Sequence, residues 1–318
     1  ANTFVISKNP DYWDVDNVKL DSVTFQVIGE TQQAVMSYEN GDVDYVELTG
    51  DLVEQYKDDE GFASHNGSFN YYLMMNTTKP GMDNENFRRA IACALNREEI
   101  CNSILKDGST PVQQMIMVGL YANEAGDDFA ESSPQPNGYN LDEATKYWEA
   151  AQAETDVREF TILFDQDKDF TQDVCAYIQD TVQKALPGLT INLEATPKKS
   201  RTERADSGDF DVCLWGWGPD YADPTAILAM YVSDHPSNYS RWNDEEFDKL
   251  YEQANTTDAG NADARWNELM RCNEICSTRA VSIPIFQTGL CSLTKPSVSG
   301  MTYHITGIQY YCKYMDKN

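Results

Sequence analysis

One segment, Asp-Val-Cys-Leu-Trp-Gly-Trp at positions 211–217, limits the possible folds more than any other. After its first residue, both alternating sets of positions are apolar, which is typical of a strand covered on both faces. Other strand-like segments alternate with helical patterns along the chain, at positions 23–28, 43–46, 69–76, 159–164 and 189–195. This alternation predicts an α/β fold in which helices cover the sheets on both faces.

Three further stretches of the chain have residue patterns that predict their local structure. Positions 23–46 read as a strand, a helix and a second strand, and positions 85–105 have the apolar spacing of one long helix. Positions 107–140 are rich in Gly, Pro, Asn and Ser and show little periodicity, so they predict a long connection. Connections of that length in a compact domain usually have a function or cover another part of the protein.

Charge narrows the range of partners. The 318 residues include 24 Lys and Arg against 52 Asp and Glu, which gives a formal net charge of −28. A nucleic-acid surface needs clustered basic side chains, and no basic run here is longer than Lys198-Lys199. We therefore expect no nucleic-acid partner and, for the same reason, no anionic membrane surface. With 41% hydrophobic residues the chain should nevertheless fold.

Metal and cofactor chemistry has little support in the sequence. Cys272 and Cys276 are four residues apart on a predicted helix and could supply half of a zinc site. No histidine or second cysteine pair lies nearby in sequence, so we expect both to be small core residues. The chain has neither a glycine-rich phosphate loop nor a GxSxG motif, and we expect no metal and no cofactor. An α/β hydrolase that uses paired carboxylates stays open as an alternative.

The residues that end the buried strand are candidates for a ligand site. In open α/β sheets, ligands bind beyond the carboxyl ends of the strands. Here that end combines flat aromatic surface, an approachable glycine backbone and one acid, on Trp215, Gly216, Trp217, Gly218, Asp220 and Tyr221. A purely structural interpretation is also open, in which both tryptophans are core and Asp223-Pro224 caps the next helix.

These residues carry a family resemblance. The run Gly-Trp-Gly-Pro-Asp-Tyr-Ala-Asp-Pro at positions 216–224 resembles a signature of the extracytoplasmic solute-binding proteins of peptide ABC transporters, the oligopeptide and dipeptide-binding family known as family 5. Further blocks resemble those of the family and follow in the family's order, at positions 8–13, 40–44, 71–76, 86–97 and 239–243. The resemblance therefore covers nearly the whole chain.

The resemblance implies a bilobed periplasmic binding protein of type II that closes on its ligand by hinge motion and is not an enzyme. It implies that the chain is the C-terminal portion of a longer protein, with residues 1–30 a remnant of lobe I, residues 31–284 the C-terminal lobe, and residues 285–318 the return to lobe I. The implied ligand is a peptide, delivered to the permease subunits of an ABC importer. The implied protein is a monomer outside the cytoplasm, at the cell surface or in the periplasm, and a membrane-anchored lipoprotein at full length.

Site roles also follow from the resemblance. Asp220 matches the family carboxylate that pairs with the α-amino group of the ligand. Gly216, Trp217 and Gly218 match the segment whose backbone lies along an extended peptide, with Trp215 and Tyr221 beside it. Pro219 departs from the pattern and removes one backbone donor. A peptide-sensing receptor is an open alternative, and the family also includes binders of nickel, glutathione and oligosaccharides.

Overall fold

The computed structural model describes residues 2–308 and 310–318. The chain forms two compact units. The first contains Ala1–Ser68, Lys106–Ser109 and Thr288–Asn318, and the second contains Phe69–Leu105 and Thr110–Gln287. The predicted boundaries after residues 30 and 284 do not coincide with these units, and the assignment of segments to lobes stays a prediction.

The helices and strands are as follows in chain order. The α-helices are α1 Thr31–Glu39, α2 Asp51–Tyr56, α3 Glu85–Ala94, α4 Arg97–Glu99, α5 Phe129–Ser132, α6 Leu141–Glu154, α7 Asp169–Ala185, α8 Lys198–Ser207, α9 Thr225–Leu228, α10 Glu245–Asn255 and α11 Ala262–Thr278. The strands are β1 Thr3–Ser7, β2 Ser22–Gln26, β3 Tyr45–Leu48, β4 Phe62–Met75, β5 Thr110–Pro111, β6 Glu159–Asp165, β7 Thr190–Thr196, β8 Val212–Trp217, β9 Ser282–Thr294, β10 Val298–Ser299, β11 Thr302–Tyr303, β12 Tyr310–Tyr311 and β13 Asp316–Lys317.

The second unit contains a mixed sheet. β6 pairs in parallel with β7 along its whole length and with β8 at Ile162 and Leu163. β4 runs antiparallel to β8, from Asn70 opposite Trp217 to Met75 opposite Val212. The α/β class predicted from the sequence is confirmed, and the antiparallel β4 makes the sheet mixed.

Helices cover one face of this sheet. α3, α6 and α7 pack against strand residues such as Leu73 and Leu214, which are fully buried. The Phe87 ring on α3 lies 5.2 Å from the Trp148 ring on α6 in an edge-to-face contact. This core holds the strand ends of the second unit in place.

The helix predicted at positions 85–105 is interrupted. α3 ends at Ala94 because Leu95 adopts an extended backbone, and the Asn96 side chain then accepts the backbone N–H of Glu99. A short π-helix, Ile100–Leu105, completes the stretch. The single long helix was therefore wrong, since a capping asparagine starts a new helix in the middle of the apolar pattern.

Part of the long connection is attached to the second unit through buried amides. The Asn70 side chain donates to the Met115 carbonyl oxygen at 2.7 Å. The Gln287 amide accepts from the Val118 backbone nitrogen at 3.1 Å and donates to its carbonyl oxygen at 3.2 Å. Asn70 and Gln287 are both almost fully buried. The predicted connection at 107–140 thus contributes to a packed interior.

The first unit places its strands in separate sheets. β2 pairs with β1 in antiparallel register, from Thr3 opposite Gln26 to Ser7 opposite Ser22. β3 pairs with β9 instead. The strand, helix and strand at positions 23–46 do form, but the two strands join separate sheets. In the part of the chain that the structure describes, no helix is long and apolar enough to cross a membrane.

Candidate functional site

β8 carries the predicted site residues to one edge of the sheet in the second unit. Because β6, β7 and β8 are parallel, their carboxyl ends meet at that edge. The antiparallel β4 places Asn70 opposite Trp217 and Tyr71 opposite Gly216. The candidate site therefore includes both the ends of three strands and side chains from a fourth.

The predicted residues differ in exposure. Trp215 is only 7% exposed, and its ring lies 5.5 Å from the Tyr239 ring, so it belongs to the core as the structural interpretation expected. Trp217 and the glycines on either side of it are half-buried. Asp220 is exposed, and Tyr221 is 52% exposed. Trp215 is therefore buried, whereas the segment that follows it is accessible, and the ligand-binding role of these residues stays a prediction.

Trp217 and Asn70 each keep a buried polar atom without a partner. The Trp217 indole nitrogen and the Asn70 Oδ1 atom make no hydrogen bond within the described residues. Leaving such an atom unpaired costs about 1–3 kcal/mol. The two residues are opposite each other on β4 and β8, so both unpaired atoms belong to residues at the same strand end.

Position 216 must be a glycine because a neighbouring aromatic ring occupies the space that a side chain would need. A Cβ atom at this position would lie 2.7 Å from Cζ of Tyr71, well inside contact distance. The Tyr71 ring is itself stacked on Phe286, with 4.9 Å between the ring centres. Glycine therefore allows close approach of β4 and β8 at the point where the site begins.

Lys168, which the sequence analysis did not single out, lies at the same edge. It is exposed in the turn between β6 and α7, and its Nζ atom donates to the Tyr71 hydroxyl at 2.5 Å. The ammonium also lies 5.3 Å from the centre of the Tyr71 ring and 5.9 Å from that of Phe170. No described carboxylate pairs with it. The one sequence signal for Lys168 was its position just after a strand end.

A buried ion pair joins two of these strand ends. Arg201, on α8, lies with Nη2 3.7 Å from Oδ2 of Asp165, the last residue of β6. Its Nη1 atom donates to the Leu214 carbonyl oxygen at 2.9 Å, and its guanidinium carbon lies 4.4 Å from the centre of the Trp215 ring. Arg201 and Asp165 are 6% and 1% exposed.

The loop after β8 is fixed by Asp223. Its Oδ1 atom accepts the Thr225 backbone N–H at 2.9 Å and hydroxyl at 2.6 Å, and pairs with Arg265 at 2.8 Å. Burial opposes the charged form, but the bonds from Arg265 and Thr225 outweigh it and lower the pKa of Asp223. The Asp223 carboxylate binds the first residue of α9, although Pro224 and not Asp223 directly precedes that helix.

Asp220 contrasts with Asp223. Three residues earlier in the same loop, its exposed carboxylate has no hydrogen bond or ion pair with any described residue. A charge that the protein leaves uncompensated is available to a ligand. The neighbouring Tyr221 points its hydroxyl to Thr225 Oγ1 at 3.3 Å, which ties it to α9.

The cysteines considered for metal binding lie in the interior. Cys272 is fully buried and Cys276 is 3% exposed, which confirms their interpretation as core residues. Burial raises the pKa of Cys272 to about 12, so its thiol stays protonated. Among the described residues, no group of three or more His, Cys, Asp or Glu side chains could hold a metal ion.

A groove lies elsewhere, in the first unit. It has a volume of about 750 Å³ and is lined by β2, β3 and the C-terminal segment, including Phe25, Tyr45 and Met315. None of the predicted site residues lines it. The residues at the end of β8 therefore do not share this groove.

Comparison with known proteins identifies the family. The family described as bacterial extracellular solute-binding proteins, family 5 Middle, matches residues 1–239. The dipeptide-binding protein of Lactococcus lactis subsp. cremoris (strain MG1363) is 28% identical over 323 residues, covering 98% of this chain and 58% of the relative. The dipeptide-binding protein DppE of Bacillus subtilis (strain 168) is 24% identical and is also covered to 58%. The chain thus spans little more than half the length of these relatives.

Solved structures are similar over the whole chain. The pheromone receptor PrgZ, whose structure and mode of peptide binding are described, has a TM-score of 0.84 and 28% identity. Listeria monocytogenes OppA bound to peptide has a TM-score of 0.81 and 28% identity. Each comparison covers 100% of this chain and 62% of the solved one. The fold is that of peptide-binding proteins of the periplasmic binding protein class.

Proposed function

This chain belongs to the bacterial extracellular solute-binding proteins of family 5, and from that premise we propose that it is part of the peptide-binding component of an ABC importer. The names of its relatives support this ligand class, since they include dipeptide-binding and oligopeptide-binding proteins. The solved OppA of Listeria monocytogenes is described as bound to peptide.

The observation that carries the proposal is the uncompensated carboxylate of Asp220. It is exposed three residues after the end of β8 and has no partner among the described residues. A carboxylate in this position complements a cationic group, and a charge-assisted hydrogen bond to an ammonium is about twice as strong as a neutral one. The α-amino group of a peptide supplies such a cation next to a main chain.

Lys168 provides a charge of opposite sign at the same edge. Its ammonium donates to Tyr71, which leaves other donor positions free because an ammonium has three. A peptide with free termini is a zwitterion, so its carboxylate suits Lys168 while its amino group suits Asp220. We include this second contact in the proposed site.

Main-chain recognition would account for variety in the side chains of the ligand. Gly218, which is half-buried and has no side chain, leaves the backbone after Trp217 approachable. Binding through backbone groups gives affinity without demanding particular side chains, as in other cases of strand addition. Trp217 would add flat apolar surface against the ligand.

Four further parts of the proposal follow from the family. The protein acts outside the cytoplasm, passes its ligand to permease subunits, and works as a monomer. It binds peptide without cleaving it. The family description supports the compartment, and the ligand-binding names of the relatives support the absence of catalysis.

Calorimetry on the full-length protein tests the proposal. A panel of di- to pentapeptides is titrated, followed by the N-acetylated form of the tightest peptide. We expect the free peptide to bind, and both N-acetylation and Asp220→Asn to weaken binding about tenfold or more. Recovering the peptide intact by mass spectrometry after long incubation would support binding without cleavage.

The matched control is Glu149→Gln, which removes an exposed carboxylate on α6 of the same unit. It should leave affinity unchanged. Failure of every peptide to bind the unmutated protein would remove the proposed function. Binding that is indifferent to Asp220→Asn would instead show that the site has been misplaced.

A further inference from the structure

Arg201 contacts the strand that leads to Asp220. It donates from Nη1 to the Leu214 carbonyl oxygen at 2.9 Å. Its guanidinium carbon lies 4.4 Å from the centre of the Trp215 ring, close enough for a cation–π interaction. These two residues immediately precede the proposed ligand-binding segment, so Arg201 orients β8 where the site begins.

The same guanidinium reaches the turn that carries Lys168. Its Nη2 atom lies 3.7 Å from Oδ2 of Asp165. Asp165 accepts the backbone N–H of Asp167 through its side chain at 3.0 Å and the Thr171 hydroxyl through its carbonyl oxygen at 2.5 Å. Asp165, the ion-pair partner of Arg201, therefore holds the turn around Lys168 through these hydrogen bonds.

Other buried arginines in the second unit are bound differently. All hydrogen bonds of Arg88 and Arg97 go to backbone carbonyl oxygens. Arg88 makes four bonds to three oxygens, and Arg97 makes three bonds to three oxygens. Arg201 instead donates one hydrogen bond to a backbone carbonyl oxygen, contacts the Trp215 ring and pairs with the Asp165 carboxylate. Its Nε atom is buried without a partner in the described residues. Its pairing is the least complete of the three.

Stability alone is a weak reason for this arrangement. Replacing a buried ion pair by apolar residues of similar volume is often neutral or stabilising, because desolvating the charges is costly. Incomplete pairing increases that cost. A connection between the Asp220 segment and the Lys168 turn explains the contacts of Arg201 better than stability does.

We propose that Arg201 is a positioning residue that holds the Asp220 segment and the Lys168 turn at a fixed spacing, which makes the site selective for short peptides with both termini free. The inference rests on the proposed function. Arginine suits the role because its planar guanidinium stacks on Trp215 and donates to Leu214 at the same time, whereas a lysine ammonium cannot do both.

The test compares the tightest peptide of the panel with its C-terminal amide, using the full-length protein. The ratio of the two dissociation constants reports the carboxylate end of the site. For Arg201→Met we expect the free peptide to lose about tenfold in affinity and the ratio to fall towards one. Arg201→Lys should restore part of the ratio, and Asp165→Asn should lower it with Arg201 still present.

Arg241→Met is the matched control, because Arg241 donates to the Asp206 carbonyl oxygen at the other end of α8. We expect it to lower the melting temperature and leave the ratio unchanged. An unchanged ratio in Arg201→Lys and Asp165→Asn overturns the inference, even if Arg201→Met does not fold.

The outcomes separate the inference from the proposed function. No peptide binding by the unmutated protein contradicts the function itself. Peptide binding with equal affinity for acid and amide contradicts the role of Lys168 and, with it, the spacing role of Arg201. A ratio that falls in proportion to melting temperature across all variants, Arg241→Met included, shows a structural effect only.

Discussion

The ring of Tyr71 fills the space in which a side chain on Gly216 would lie. The two residues are opposite each other on β4 and β8, and the Tyr71 hydroxyl accepts a hydrogen bond from Lys168. One close contact thus joins the start of the candidate site on β8 to the cation at its edge. Its consequences can be measured.

Gly216→Ala should destabilise the protein and weaken ligand binding. The new Cβ atom would lie 2.7 Å from Cζ of Tyr71, whose ring is stacked on Phe286 and cannot withdraw. Overpacking of this kind costs about 1–3 kcal/mol. Urea denaturation measures the loss, and Gly260→Ala, which meets no atom within 4 Å, is the control. Equal stability of the two variants would contradict the prediction.

Lys168→Met should weaken the binding of peptides with a free C-terminal carboxylate and leave the binding of their C-terminal amides unchanged. Only the free peptide has a carboxylate for the ammonium to bind, and the loss should be about tenfold. Calorimetry with both ligands measures the difference. Lys184→Met, which removes an exposed lysine from α7, should change neither affinity. Equal losses for acid and amide would assign Lys168 a structural role.

Asp223→Asn should destabilise the protein at neutral pH but not in acid. The folded pKa of Asp223 lies below the ordinary value of 3.8, so its contribution is present above about pH 4 and is lost as the pH falls through the folded pKa. We expect a cost of about 1–3 kcal/mol at pH 7. Urea titrations from pH 7 to pH 3 follow it, and a pH-independent difference would refute the charge argument.

The control for Asp223 is Asp180→Asn. Asp180 pairs with Lys184 on the exposed surface of α7, where both side chains are more than half exposed. Such pairs contribute about 0–1 kcal/mol. Its effect on stability should be small at every pH.

Arg97→Lys should be strongly destabilising despite keeping the charge. Arg97 is buried and donates to the carbonyl oxygens of Ala92, Leu95 and Pro284, and burial lowers its pKa to about 10. A lysine ammonium cannot match this planar geometry, and it loses its proton more easily when buried. The expected cost is about 2 kcal/mol or more.

Denaturation midpoints test the Arg97 prediction. The exposed Arg271, which bonds two glutamates on the surface, provides the control variant Arg271→Lys. Its effect should stay within about 0.5 kcal/mol. Comparable midpoints for the two variants would mean that the carbonyl contacts of Arg97 contribute little.

The sequence by itself determined the local elements and the family. The apolar run of β8, the capping Asp223 and the ordered blocks from position 8 to position 243 depend on neighbouring residues, so they can be recognised along the chain. The predicted α/β class follows from the same alternation. Asp220 could be singled out because it is an acid at a strand end.

Only the tertiary structure decided which of these elements meet. The pairing of β2 with β1, the antiparallel entry of β4 beside β8, and the place of Lys168 against Tyr71 join residues that are far apart in sequence. Strand register and burial set these contacts, and neither is encoded by local propensity. No sequence pattern pointed to Arg201. Its proposed role depends on the ends of β6 and β8, which the α8 side chain contacts only in the folded structure.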